Sequence, residues 1–243
     1  MANNFFQFKQ FTVQQENCSM KVSTDACIFG AFVASSLQHL TFNIQHILDI
    51  GTGTGLLPLI LAQKSKALID AVEINTAASL QAKGNFARSP WHDRLQVFNL
   101  DIKDFNPGKK YDQIISNPPF FEDDLRSADD AKNTAKHNTA LTLVQLLNAV
   151  DLHLQPGGSS YVLLPFHRMG YFEKVSAGMG FHIHKKLLIR HTASHPYFRG
   201  ILAFSKNKLP VENSELAIKE SNGVYTAGLA GLAGLLGDYY LYL

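Results

Sequence analysis

Cysteine is nearly absent from this chain of 243 residues, which carries only Cys18 and Cys27. Nine residues apart and without CxxC spacing, they predict neither a disulfide framework nor a cysteine-based zinc site. Such sparse usage suits a reducing compartment. Long hydrophobic runs are missing too, and no stretch approaches the roughly 18 to 20 apolar residues that span a bilayer. The opening residues, Met1 to Gln7, lack the basic start and apolar run of a signal peptide. A cytoplasmic protein with no membrane association is therefore expected. An excess of either charge is also lacking, since the formal net charge is +2. That balance does not by itself announce a nucleic-acid binder.

What the chain does have is a large apolar fraction, 46%, beside 17% charged residues, as in a globular protein with a substantial core. Its pattern alternates strands with helices. Residues 5 to 23 show weak alternation (Phe6, Phe8, Phe11, Val13) and predict an N-terminal extension with one or two short strands. A helix is expected over Ala26–Leu40, with Thr24 or Asp25 as its N-cap. Strands follow at Ile44–Ile50, Ala67–Val72, Leu95–Leu100, Tyr111–Ser116, Ser160–Leu164, Lys185–Arg190 and Gly200–Lys206. Helices are expected at Leu56–Lys64, Thr76–Arg88, Leu141–Leu154 and His167–Met179. This spacing predicts a Rossmann-like α/β fold: a seven-stranded, mostly parallel sheet with an antiparallel hairpin at its edge and helices on both faces. No linker divides residues 24–206, so one domain is expected, with 1–23 as an extension and 207–243 as an appendage. The Ala/Gly/Leu repeat between Thr226 and Gly237 is rich in glycine, a poor helix former.

Ligands of open α/β sheets bind at the carboxyl ends of the strands. Four polar features are expected at such ends. The first is Asp49 followed by Gly51, Gly53 and Gly55, a G-x-G-x-G loop and not the G-x-G-x-x-G of nicotinamide or flavin binders. Asp49 would oppose a pyrophosphate but suits a ligand bearing an ammonium group. Glu73, ending the second strand, is placed to accept two ribose hydroxyls, and Asp101, ending the third, to accept an adenine amine. An amino-acid end, a ribose and an adenine together describe S-adenosylmethionine. Any of these carboxylates alone is more commonly a loop or cap residue, but three at successive strand ends make a pattern.

The fourth feature is Ser116-Asn117-Pro118-Pro119-Phe120-Phe121. Two prolines cannot donate to a sheet ladder, so the strand stops there, and they stiffen the backbone. The Asn117 side-chain oxygen and the Pro118 carbonyl can accept both N–H bonds of an NH2 group, which frees its lone pair for alkylation. Alignment and fixed dipoles are the catalytic contributions available to such a site. Phe120, and Phe121 beside it, would stack on a planar substrate. The competing reading is a strand-ending turn with a buried Phe.

These motifs resemble the class I methyltransferases, and Asn-Pro-Pro-Phe resembles their amino-methylating branch. Phe8 to Val13, Met20 to Asp25, Ser116 to Phe121, Ala135-Lys136-His137 and Asp238 to Leu243 together resemble the bacterial tRNA(Val) adenine-N6 methyltransferases, over nearly the whole chain. The resemblance implies S-adenosylmethionine as cofactor and the adenosine next to the anticodon of a tRNA as substrate. It also implies that Lys21, Thr24 and Asp25 help to close the cofactor site and that Lys136 and His137 lie near the substrate. The Ala/Gly/Leu tail departs from the charged helix the family would lead one to expect.

Alternatives stay open on the residues alone. A release-factor glutamine N5-methyltransferase would use the same acceptors on an amide, but would carry a helical domain before Asp49, where only 48 residues stand. An rRNA guanine-N2 methyltransferase is a second alternative that residue chemistry alone does not exclude. A DNA methyltransferase would need a recognition domain, and 37 residues follow Lys206. A non-catalytic RNA-binding module on the same fold would not need Asp49, Glu73 and Asn117 together. Between Phe166 and Gly200 there are six Lys or Arg against one acid, Glu173. Lys186, Arg190 and Arg199 there, with Tyr197 and Phe198, suit either an RNA-facing surface or a charged strand edge. His182, His184, His191 and His195 lack metal-ligand spacing, so no metal is expected. Nothing in the pattern sets an oligomeric state.

Overall fold

The computed structural model describes residues 3–18, 20–38, 44–119, 141–226 and 236–240. Phe120, Phe121, Lys136 and His137, and most of the Ala/Gly/Leu tail, lie outside the described residues.

A small antiparallel hairpin comes first, β1 (Phe5–Gln7) with β2 (Thr12–Gln14). Helix α1 (Thr24–Gln38) follows. Its cap is neither Thr24 nor Asp25 but Ser23. The Ser23 carbonyl accepts the first helical bond, from Cys27 N at 3.1 Å, and its hydroxyl accepts from Ala26 N at 3.4 Å. Asp25 is thereby left for another role.

Then come β3 (His46–Ile50), α2 (Leu56–Lys64), β4 (Leu68–Val72), α3 (Thr76–Ala87), β5 (Leu95–Phe98) and β6 (Tyr111–Ser116). Strand β5 stops earlier than expected. Asp101 lies three residues beyond it, capping a single 3-10 turn at Ile102–Asp104 by accepting from Lys103 N at 3.0 Å. Helix α4 (Leu143–His153) opens with a capping box, in which Thr142 and Gln145 each accept the other's backbone N–H. Strand β7 (Leu154–Pro165), α5 (Met169–Gly178), β8 (His182–Arg190), β9 (Tyr197–Ser205) and β10 (Glu212–Ala217) complete the order.

The main sheet has eight strands, in the order β10-β8-β9-β7-β6-β3-β4-β5. Only β9 runs antiparallel to its neighbours. The expectation of seven strands ending in a hairpin is corrected by one strand. Strand β10 pairs parallel with β8 and forms the edge, so the β8–β9 hairpin is interior. Its sequence, ENSELA, buries only Leu216 and shows no apolar run, because an edge strand exposes most of its side chains.

Alternation along the strands builds two cores. Ile47, Ile69, Ala71 and Ile115 face α1, α2 and the aromatic residues of the N-terminal hairpin. Leu48, Ile50, Val72 and Ile114 face α4 and α5. Both sheet faces are thus covered, as the near-continuous apolar strands require. The chain's two ends meet on the first face, where Lys9 N donates to Tyr239 O at 2.7 Å and Phe8 bridges Tyr240. The order reverses between β3 and β6, which opens a crevice at their carboxyl ends.

Candidate active site

A cavity of about 430 Å3 occupies that crevice. Ile50, Gly51 and Gly53 line it after β3, Val72 and Glu73 after β4, Asp101 to Lys103 after β5, and Ser116 to Pro119 after β6. Four successive strand ends therefore converge on one space, as their sequence positions predict. Asn17, Cys18 and Met20 close it from the N-terminal segment, and Leu141 and Gln145 from the start of α4. Sequence reading missed these five. Gln145 left a signal in the Thr142-x-x-Gln145 capping box, whereas Asn17, Cys18 and Met20 carry none.

Within the glycine loop, Gly51, Gly53 and Gly55 all have positive φ, at 76°, 57° and 81°. A Cβ at Gly51 or Gly53 would meet nothing within 4 Å, so a ligand can approach the bare backbone there. At Gly55 it would sit 2.5 Å from Phe86 Cε1, so that glycine serves helix packing. Glu73 fixes the loop from the next strand. One carboxylate oxygen accepts from Gly53 N and the other from Asn75 N, each at 2.8 Å. A carboxylate has about four lone-pair sites, so two remain for hydroxyls in the cavity.

Asp49 stands apart. It is fully buried in mid-sheet, paired with Ala71 and Ile115, and does not line the cavity. Among the described residues neither carboxylate oxygen has a partner within hydrogen-bond geometry. Burial pushes its pKa up to about 7, the nearby Thr52 hydroxyl counteracts this, and the charge of Glu73 adds to it. Its place beneath the glycine loop suits compensation of a cation above it, not a direct grip. Asp101 lines the cavity, but its carboxylate is already engaged by Lys103, through the backbone N–H and an ion pair at 2.9 Å. Partial burial works against its ionisation, yet the Lys103 bonds prevail and hold it below the usual carboxylate range.

At the end of β6, Ser116 donates to the Ile50 carbonyl at 2.8 Å, tying this strand end to β3. The next residue, Asn117, lines the cavity, and its side-chain oxygen is shielded from solvent and has no hydrogen-bond partner among the described residues. Buried acceptors are ordinarily satisfied, so an orphaned one beside a cavity suits a donor brought by a ligand. Pro118 and Pro119 complete this wall. Cys18 is the thiol at the cavity, and burial, reinforced by Glu73 and offset by Lys21, raises its pKa to about 11. It stays protonated at neutral pH and is no nucleophile.

The other expected residues are dispersed. Lys21 donates to the Gln15 carbonyl and holds the N-terminal segment, while Thr24 is exposed at the start of α1. Asp25 pairs with Arg199 at 2.8 Å. Lys186 pairs with Glu173 at 2.7 Å, and Arg190 contacts Glu215 at 3.3 Å. All three cations of the basic stretch singled out in the sequence are thus engaged within the chain. Among the described residues, no group of three His, Cys, Asp or Glu converges as a metal site would, and no helix is long and apolar enough to cross a membrane.

The sheet order and the convergence of a glycine loop, an acidic strand end and Asn117-Pro118-Pro119 define a class I methyltransferase. A family model, the methyltransferase small domain, matches residues 30–176. The chain is 40% identical to a tRNA1(Val) (adenine(37)-N6)-methyltransferase of Dyadobacter fermentans, covering 91% of this chain and 92% of that one. It is 38% identical to the enzyme of the same name from Trichodesmium erythraeum, covering 99% of each. A glycopeptide N-methyltransferase solved with S-adenosyl-L-methionine shares the fold at a TM-score of 0.55 and 12% identity, over 74% of this chain and 94% of that one. The chain belongs to the methyltransferase small domain family and, within it, to the group of the tRNA1(Val) (adenine(37)-N6)-methyltransferases. That neighbour holds S-adenosyl-L-methionine, and the residues present here fit such a ligand. The open backbone of Gly51 and Gly53, the spare lone pairs of Glu73 and the orphaned Asn117 oxygen meet a ligand bearing hydroxyls beside an NH2-bearing substrate.

Proposed function

We propose that the protein methylates N6 of adenine 37 in tRNA1(Val). The observation that carries the reading is Asn117 at the end of β6, a wall residue of the cavity whose buried side-chain oxygen has no partner among the described residues. The names of relatives that align over nearly the whole chain support the substrate.

When bound, the cofactor supplies an electrophilic methyl group on a sulfonium. Glu73 and the glycine loop would hold it, and Asp101 and Lys103, which line the same cavity, would meet its adenine. Asn117 Oδ1 and the Pro118 carbonyl accept the two N6–H bonds and turn the amine so that its lone pair leaves conjugation with the ring. The freed lone pair would then be able to take the methyl group, whose former bonding electrons would remain on sulfur. The surplus proton of the alkylated nitrogen is acidic and passes to water, so no protein base is required. Stiff backbone at Pro118 and Pro119 keeps the acceptors fixed, which is where alignment lowers the barrier.

The test incubates the protein with S-adenosylmethionine and unmodified tRNA, followed by mass spectrometry of digested nucleosides. N6-methyladenosine is expected. N2-methylguanosine in its place, or methylated release factor in a parallel reaction without N6-methyladenosine, overturns the reading. Failure to bind S-adenosylmethionine by calorimetry would instead favour a non-catalytic RNA-binding module.

A further inference from the structure

Strand β7 carries the chain past the active site on the side away from the cofactor. Ser116 pairs with Val162, and β7 then runs three residues further, to Pro165. At ~3.3 Å per residue along a strand and ~4.8 Å between strands, Pro165 stands roughly 11 Å from the end of β6 and Phe166 roughly 14 Å. Aromatic side chains collect on this rim. Phe166 is 41% exposed and Tyr171 is 49% exposed, and Tyr197 is half-buried. The Phe166 and Tyr197 rings lie 5.4 Å apart. A guanidinium covers each tyrosine, Arg168 over Tyr171 at 5.4 Å and Arg190 over Tyr197 at 5.3 Å.

A core would have hidden these rings, and a strand edge defended by charge alone would not need them. Exposed aromatic faces interleaved with guanidinium planes suit unstacked nucleobases, which stack on rings of any sequence. Of the six Lys or Arg in the surrounding stretch, four pair with acids, Lys185 with Glu212, Lys186 with Glu173, Arg190 with Glu215 and Arg199 with Asp25, so the rings and not free positive charge carry the contact. A duplex would be met by phosphate contacts and would leave the rings unused.

We propose that Phe166 and Tyr197, with Arg168 and Tyr171 beside them, form a stacking platform for single-stranded nucleotides flanking the methylated base. This rests on the tRNA reading above and deepens it. An adenine drawn to Asn117 leaves its neighbours without a stacking partner, and the platform takes that place. It positions substrate and touches neither the cofactor nor the reacting nitrogen. The cations chosen from sequence are secondary here, since Lys186 and Arg190 already hold acids.

The experiment compares tRNA methylation kinetics of the wild type with Phe166→Ala, Tyr197→Ala, their double variant and Phe166→Tyr. Loss of one stacked ring is expected to raise the KM for tRNA about tenfold, and by up to about a hundredfold. Cofactor affinity should stay unchanged, and Phe166→Tyr should restore KM to within a few fold. A folded double variant with the wild-type KM overturns the platform. Should the alanine variants not fold, wild-type protein is photocrosslinked to tRNA carrying 4-thiouridine beside the target. Crosslinks to 166–171 or 197–198 support the proposal, and crosslinks elsewhere, or none, overturn it. A wild type that transfers no methyl to tRNA defeats the substrate reading instead, and the crosslink map then decides the platform separately.

Discussion

Replacing Asp49 by asparagine removes a carboxylate that has no exposure and, among the described residues, no hydrogen-bond partner. Burial raises its pKa from 3.8 to about 7, so the folded protein holds a proton there that the unfolded chain has released. The stabilisation is fully present below about pH 4 and is lost as pH rises through about 7. At ~1.36 kcal/mol per unit, the whole shift amounts to about 4 kcal/mol. Between pH 5 and pH 8 roughly 2.5 kcal/mol of it disappears. The amide introduced by Asp49→Asn does not titrate, so the stability difference between wild type and variant should move by that amount over the interval, in favour of the variant at high pH. The constant offset from burying an amide cancels, as do the other titrating groups. Urea unfolding of both proteins at pH 5, 6, 7 and 8 measures it. A pH-independent difference would refute the reasoning and mean that Asp49 is ionised and satisfied throughout. Because the cofactor carries an ammonium group, its binding should favour the ionised form and release a proton below about pH 7. Calorimetry in buffers of different ionisation heats would read that release.

Further outcomes follow from the same geometry. Asn117→Ala should keep cofactor affinity within about twofold and lower kcat by about a hundredfold or more, read by single-turnover methyl transfer; retained turnover would contradict the two-acceptor arrangement. Glu73→Gln keeps the shape but leaves a single acceptor oxygen, so either Gly53 N or Asn75 N faces an NH2 donor and loses its partner; cofactor affinity should fall about tenfold or more, measured by calorimetry. Gly55→Ala combines a positive φ with a Cβ 2.5 Å from Phe86 Cε1, and should destabilise by about 2 to 4 kcal/mol in urea unfolding. Gly51→Ala meets no such contact, so its stability cost should be about 1 to 2 kcal/mol, with its larger effect on cofactor affinity.

Much of the fold was legible because strands buried on both faces read as apolar runs, each punctuated by a polar residue. Glu73 and Asn117 could be placed at the cavity on those grounds alone, and the glycine loop by its spacing. Asp49 could be located but not oriented: one-residue pleating sends it below the loop, not into the cavity. Strand β10 escaped because an edge strand needs only Leu216 inside. Pairing partners escaped for a different reason. Asp25 and Arg199 are 174 positions apart yet 2.8 Å in contact, and no local pattern encodes such a meeting. The wall formed by Asn17, Cys18 and Met20 is likewise a product of tertiary packing.

The meeting of the two chain ends sets an order in time. Residues 5–14 leave the ribosome first, yet Lys9 N finds its acceptor only in Tyr239, whose own hydroxyl bonds Ile60 O at 3.2 Å. At ~5 to 20 residues per second of synthesis, residues 10 to 239 take roughly 12 to 46 seconds to appear. The sheet has its partners earlier, while the hairpin leading to Asn17, Cys18 and Met20 waits for the last turn. The cofactor cavity thus acquires its final wall only once residue 239 has emerged, and a nascent chain stalled before that point would carry the sheet but not a closed site.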